Sequence, residues 1–483
     1  MDAIPPSPAR PAATVQDQAL GPARRQLAPD RKPAGDLKPT RRQGLRPRTG
    51  VKADAGRAGR PATERGEAAE LLGLFPPGTK QAADGTLMVG GCRLDDLAAA
   101  YDTPVMVVNE GAVRQQARDY QEGLAARWPD SQVAFASKAF PCTAVQRLMV
   151  SEGLWLDVAG GGEIVTALAA GADPATLVLH GNAKTTEEIE LAVGAGVGTV
   201  VVDNLDDIDR LEATVQPGRM QGCLVRIIPG VQSSTYAAYA TGHFGSKFGL
   251  HPDAAAEAIA RIEKSGRLRM DGLHTHVGSQ ILVAEELAAA VAPLAAVGEY
   301  PVYDLGGGLG CRYTYADHPP SLEQYLDALV GAAREHLPAG ARILIEPGRS
   351  MIAPSAVTLY RVVTVKHGPK TFVAVDGGMG DNLEVALVGQ RFEATIANRV
   401  GGGQTVTVVG RHCESGDVIS EGVPLREPRV GDLLAVPVTG AYCYTMSNNY
   451  NGARRIPVAF ANDGDARPVV RREAWDDLLA RDV

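Results

Sequence analysis

Between residues 133 and 346, short apolar runs rich in β-branched residues alternate with Ala/Leu/Glu-rich stretches of helical length. The runs are 133-VAFASK, 155-WLDVA, 177-LVLHGN, 199-TVVVDN, 223-CLVRIIPG, 273-LHTHVGS, 302-VYDLGGG and 343-ILIEPGR. Near-continuous apolar strands separated by helices read as parallel and buried on both faces. Eight such units predict a closed (β/α)8 barrel of the TIM type, placed over residues 105–355. Nearly every run ends in polar or glycine residues: Lys138, Asp157, His180, Asn204, His276, Gly306 to Gly308 and Glu346. Catalytic groups of such barrels sit at the carboxyl ends of the strands, so these residues are expected to share one mouth.

From residue 356 the pattern changes. Segments such as 357-VTLYRVVTVK, 371-TFVAVDGG, 405-TVTVVGRH and 433-LLAVPVTGAY alternate apolar and polar positions between Gly/Pro/Asp turns, with no long helical stretch among them. This predicts an antiparallel β-sandwich or barrel domain over 356–483. The lead-in segment 67–104 holds 87-LMVGGCRL, which reads as a strand and is expected to join that sheet.

Composition separates a further region. Residues 1–66 carry 14 Lys/Arg against 6 Asp/Glu and ten prolines, with no Phe, Trp or Tyr. Too little apolar area is available there to offset chain entropy, so a disordered Pro/Arg-rich arm is expected. It also lacks the continuous apolar core of a secretory signal. The remaining 34 basic and 50 acidic residues bring the whole chain to −8, which gives no electrostatic reason for a nucleic-acid partner. No apolar run reaches eighteen residues, so no membrane span is expected. The six cysteines are scattered without metal-ligand spacing, as in a reduced, cytoplasmic protein.

The candidate chemistry centres on Lys138, in 135-FASKAF. A strand-end lysine facing an apolar mouth is expected to be desolvated, which favours the neutral amine needed for a Schiff base with an aldehyde cofactor. The glycine run in 305-LGGGLG lets backbone N–H groups approach a phosphate closely. In 346-EPGRS a carboxylate and an arginine stand at another strand end, and a buried glutamate suits a pyridinium nitrogen. His276 in 274-HTHVGSQ can lie flat against a ring, and Ser279 can donate to phosphate. Taken singly, each has a plainer reading: an exposed lysine, a tight turn, a pair of core histidines. A zinc site at His274 and His276 is the poorer alternative, because no third ligand stands at a recognisable spacing, and no metal is expected.

Together with 156-LDVAGGGE, 180-HGNAK, 226-RIIPGV, 246-SKFG, 376-DGGM, 413-CESGD and 440-GAYCYTMSNNYN, these blocks make the chain resemble the fold-type III pyridoxal-phosphate decarboxylases over about residues 72–475. Within them it looks most like the branch that converts meso-diaminopimelate to L-lysine. The resemblance implies pyridoxal 5'-phosphate carried on Lys138, with His276 on its ring and Glu346 at its pyridine nitrogen. Ser279, Gly306, Gly307 and Gly308 would hold the phosphate, helped by the backbone of Glu346, Pro347, Gly348 and Arg349. Arg349 would also meet a substrate carboxylate. Cys413 would be the proton donor, Glu414 the partner of the substrate amine, and Tyr442 a contact to cofactor and substrate. Cys413 and Glu414 would serve the partner's barrel, so the resemblance implies a homodimer with shared sites.

One block departs from the pattern. In 381-DNLEVALVGQRF, Glu384 stands where an arginine is expected and Val388 where a tyrosine is expected. An anion in place of a cation beside a substrate carboxylate reverses a strong interaction. Either Arg349 and other groups suffice, or the substrate is an amino acid without that carboxylate, or Glu384 simply points to solvent. A non-catalytic cofactor-holding homologue is disfavoured, since Lys138, His276, Cys413 and Glu414 are all present.

Overall fold

The computed structural model describes residues 68–483, and the arm expected over 1–66 lies outside the described residues. Three short strands, β1 (Lys80–Gln81), β2 (Leu87–Val89) and β3 (Cys92–Arg93), pair as an antiparallel sheet of their own. The segment 87-LMVGGCRL therefore does not add a strand to the large sheet. Its two halves pair with each other across the Gly90–Gly91 turn, and two bonds, from the Leu87 N–H to the Ala397 carbonyl and from the Gly464 N–H to the Gly90 carbonyl, tie it to the sheet domain. The strand that does join the large sheet is β4 (Val105–Asn109), at the start of the stretch expected to belong to the barrel.

The barrel closes as predicted. Its strands are β5 (Ser131–Ala136), β6 (Trp155–Val158), β7 (Leu177–Leu179), β8 (Thr199–Val202), β9 (Gln221–Arg226), β10 (Leu268–His274), β11 (Val302–Asp304) and β12 (Arg342–Ile345). All eight neighbours pair in parallel, with β12 returning to β5. Strand alternation sends successive side chains to opposite faces. Thus Val178, Val201, Leu224 and Leu344 fill the barrel interior with Trp155 and Val302, while flanking Leu177, Leu179, Val200 and Val202 join the larger core under the helices.

The second sheet is built on β13 (Ala356–Lys366). Its first half pairs antiparallel with β4 and β18 (Leu433–Pro437), and from Val362 its second half pairs with β14 (Phe372–Val375), with a register shift between Val362 and Thr364. The sheet is completed by β15 (Thr395–Ile396), β16 (Gln404–Val409), β17 (Val418–Leu425), β19 (Val458–Asn462) and β20 (Asp465–Val470). It is mostly antiparallel, as expected, but β4–β19 and β14–β16 run parallel. Among the described residues, no helix is long and apolar enough to cross a membrane.

Candidate active site

Register alone brings the central residues together. At the carboxyl ends of β9, β10 and β11, His274 pairs with Arg226 on one side and Asp304 on the other, and Ala136 pairs with Asp157 across β5 and β6. Two residues beyond Ala136, Lys138 directs its Nζ onto the Asp157 carboxylate in a short ion pair. These ends surround a cavity of about 310 Å³ lined by Lys138, His276, Ser279, Gly308, Glu346, Gly348, Arg349 and Tyr442, together with His180 and Arg226. The Lys138 side chain is 42% accessible and faces this cavity. A larger cavity of about 460 Å³, between Pro77, Gly91 and Asn109, shares none of these lining residues.

The charge on Lys138 is opposite to expectation. Burial does favour the neutral amine, but Asp157, Tyr442 and Glu346 outweigh it and raise the pKa above that of an ordinary lysine. Asp157 was expected at the same mouth, but its direct pairing with Lys138 is set by the register of β5 and β6.

Glu346 lies at the centre of a buried group comprising His180, His274 and Asp304, whose donor atoms are all within 4.8 Å of one another. The His274 Nε2 stands 3.3 Å from Glu346 Oε2 and the His180 Nε2 2.5 Å from Glu346 Oε1. Burial opposes the charge on Glu346, yet the two imidazoles outweigh it and hold the carboxylate ionised. Asp304 is pushed the other way, by burial and then by Glu346, because two adjacent carboxylates do not both ionise in a low-dielectric site. Burial depresses His274 to about 3, so it is a neutral donor, and lowers His276 as well. Spacing in the sequence offered no further ligand beside His274. The fold supplies three potential partners from other strands.

The glycine run is dictated by close approach. A Cβ on Gly307 would stand 2.1 Å from the Glu346 carbonyl oxygen, and Gly308 holds φ +123°, where a side chain is strained. The Gly307 N–H donates to His276 Nδ1 at 3.2 Å, which fixes that ring beside the loop. The Pro347 carbonyl accepts from the Ala136 N–H, locking 346-EPGR against the lysine strand. Tyr442 adopts φ +62°, an unusual conformation for a tyrosine, and its ring centre lies 4.4 Å from the Arg349 guanidinium carbon.

Glu384 does not point to solvent. It is 1% exposed and takes a two-pronged salt bridge from Arg349, at 3.0 and 3.1 Å, while the Tyr239 hydroxyl donates to it at 2.6 Å. Arg349 also donates to Ser279 Oγ and to the Tyr313 hydroxyl. Tyr239, Tyr313, Asp304 and Arg226 were not singled out from sequence. Only the last two carried a signal, as strand-end polar residues.

Cys413 and Glu414 are apart from this cavity and exposed. Their loop is shaped by Asp417, which accepts from the His412 and Met379 N–H groups, and Cys413 is tethered through its N–H to Asn451. All six cysteines are free.

The residues present fit a pyridoxal cofactor. The glycine cradle excludes side chains, Lys138 faces the same cavity, and buried Asp157 Oδ1 has no hydrogen-bond partner. A closed barrel with this arrangement is the architecture of the pyridoxal-dependent decarboxylases. The family model described as pyridoxal-dependent decarboxylase, pyridoxal binding domain, matches residues 110–353, starting at the first residue after β4. Diaminopimelate decarboxylase of Actinosynnema pretiosum subsp. auranticum is 45% identical over 432 residues, covering 86% of this chain and 97% of its own, and that of Bacillus subtilis is 38% identical, covering 85% and 98%. A solved diaminopimelate decarboxylase from M. jannaschii, in co-complex with L-lysine, superposes with a TM-score of 0.79 at 27% identity, covering 84% of this chain and 97% of its own. The chain belongs to the diaminopimelate decarboxylase family.

Proposed function

We propose that the protein decarboxylates meso-2,6-diaminopimelate to L-lysine with pyridoxal 5'-phosphate. The observation that carries this reading is the convergence of Lys138, ionised Glu346 and the Gly306–Gly308 cradle on one cavity, in a chain of this family. When bound, the cofactor supplies an electron sink for the carbon that loses carbon dioxide. Lys138 would hold the cofactor through Nζ, with the Asp157 carboxylate beside it to take up the proton that Nζ must release. Glu346, ionised in the structure, would keep the pyridine nitrogen protonated, and His276 would face the ring. Ser279, the glycine N–H groups and the Glu346–Arg349 backbone hold the phosphate. Arg349 orients a substrate carboxylate, with Tyr442 covering both cofactor and substrate.

The proton returned to that carbon comes from Cys413, or from a water it orients, and Glu414 meets the substrate amine. Both residues are exposed and outside the cavity of their own chain, which supports a homodimer in which each subunit completes its partner's site. Six free cysteines suit a reducing cytoplasm. The test is carbon dioxide release from meso-diaminopimelate with L-lysine as product. Wild type should show it, Lys138→Ala should not, and equal activity in both would refute the assignment.

A further inference from the structure

The carboxylate that replaces an expected cation is paired with the arginine expected to bind substrate. Four of the five Arg349 N–H groups are committed: one to Ser279, one to Tyr313 and two to Glu384. A substrate carboxylate can engage this guanidinium with both oxygens only if Glu384 moves away. Glu384 would then be a buried anion without a cationic partner, which is strongly unfavourable unless the same ligand brings it a cation. The far end of diaminopimelate is an amino-acid zwitterion, and it brings both charges on one carbon.

We infer that Arg349 and Glu384 are the two halves of a receptor for that zwitterion, closed on each other in the structure and opened by the substrate. The carboxylate takes Arg349, the ammonium that Glu414 also meets takes Glu384 as a second carboxylate, and the charge that the Arg349–Glu384 pair presents is unchanged. The local structure permits the exchange. Glu384 begins a helix of only four residues, Glu384–Leu387, whose last residue is 62% exposed, and Val388 beyond it is half-buried. The Tyr239 hydroxyl remains as a donor to Glu384 when Arg349 parts from it. Arg349 itself lines the Lys138 cavity, so the receptor opens toward the reacting end. On this account Glu384 determines specificity, admitting an α-amino-acid terminus and discriminating against ends that carry only one of the two charges.

The inference rests on the diaminopimelate reading, and its test is read by binding rather than turnover. Equilibrium dialysis of the holoenzyme compares L-lysine with 6-aminohexanoate, which lacks the α-ammonium, and with 1,5-diaminopentane, which lacks the carboxylate. Wild type should prefer L-lysine over each by about ten-fold or more. In Glu384→Gln the preference over 6-aminohexanoate should collapse, because lysine loses the carboxylate that must be matched once Arg349 is taken, while any ligand's carboxylate meets an uncontested Arg349. A preference that survives Glu384→Gln, or that disappears only in Glu414→Gln, overturns the inference. So does a wild type that binds L-lysine no better than 6-aminohexanoate, a comparison that needs no variant to fold. Turnover of meso-diaminopimelate by wild type judges the parent reading separately: a protein that decarboxylates it without this preference loses the receptor and keeps the activity.

Discussion

Lys138 illustrates how one neighbour sets a residue's chemistry. Its pKa is raised although burial acts to lower it, and Asp157 is the first of the charges responsible. Asp157→Asn should therefore shift the pH midpoint for attachment of the cofactor, read by borohydride fixation onto Lys138, downward by roughly one to three units. An unmoved midpoint would show that Asp157 does not govern the lysine. Asp381 gives a stability prediction with the opposite chemistry. Burial, aided by Asp376 and Asp417, raises its carboxyl from 3.8 to about 7. A carboxyl raised in the folded state binds its proton more tightly there, so its contribution is full below about pH 4 and is lost as pH rises through 7. Asp381→Asn should raise the melting temperature at pH 8 relative to wild type and give no such gain at pH 4. A gain independent of pH would contradict the assignment.

Elements were legible in proportion to how far local pattern decides them. The barrel strands were readable because most are short apolar runs bounded by polar residues and followed by a helix. The exception is β10, which carries Arg269 and Asp271 and which the expected run 273-LHTHVGS meets only at Leu273 and His274. The strand Val105–Asn109 is buried at every position and reads the same in a barrel or in a second sheet, so its sheet was decided by partners distant in sequence, β13 and β19. The same limit applied to the site. Lys138, Glu346 and the glycine run announce themselves at strand ends, whereas Tyr239 and Tyr313 lie in loops with no periodic signal, and their relation to Arg349 exists only in the fold. The glycine element has a sharp test. Gly307→Ala places a methyl against the Glu346 carbonyl and should lower both cofactor retention and melting temperature. Gly331→Ala, in the helix Leu322–His336 with open space around it, should stabilise by about 0.5–1 kcal/mol. If the two behaved alike, close packing would not be the reason for the glycine run.

At the scale of the whole molecule, the lysine cavity and the exposed Cys413–Glu414 loop belong to different parts of one chain, and the account joins them through a second subunit. Cys413→Ala should reduce turnover by about 10²–10⁴-fold, as loss of a positioned proton donor does. Mixing it with Lys138→Ala should restore part of the activity through hybrid dimers, and failure to do so with subunit exchange demonstrated would place each site within one chain. The central claim is the reaction itself, and it is tested most directly by kcat/KM for carbon dioxide release across meso-diaminopimelate, L-lysine, D-lysine, ornithine, arginine and glutamate. The account predicts that meso-diaminopimelate leads the series by a wide margin, with Glu384 in place. It is contradicted if another amino acid leads, or if meso-diaminopimelate is turned over only by the Glu384→Arg/Val388→Tyr double variant.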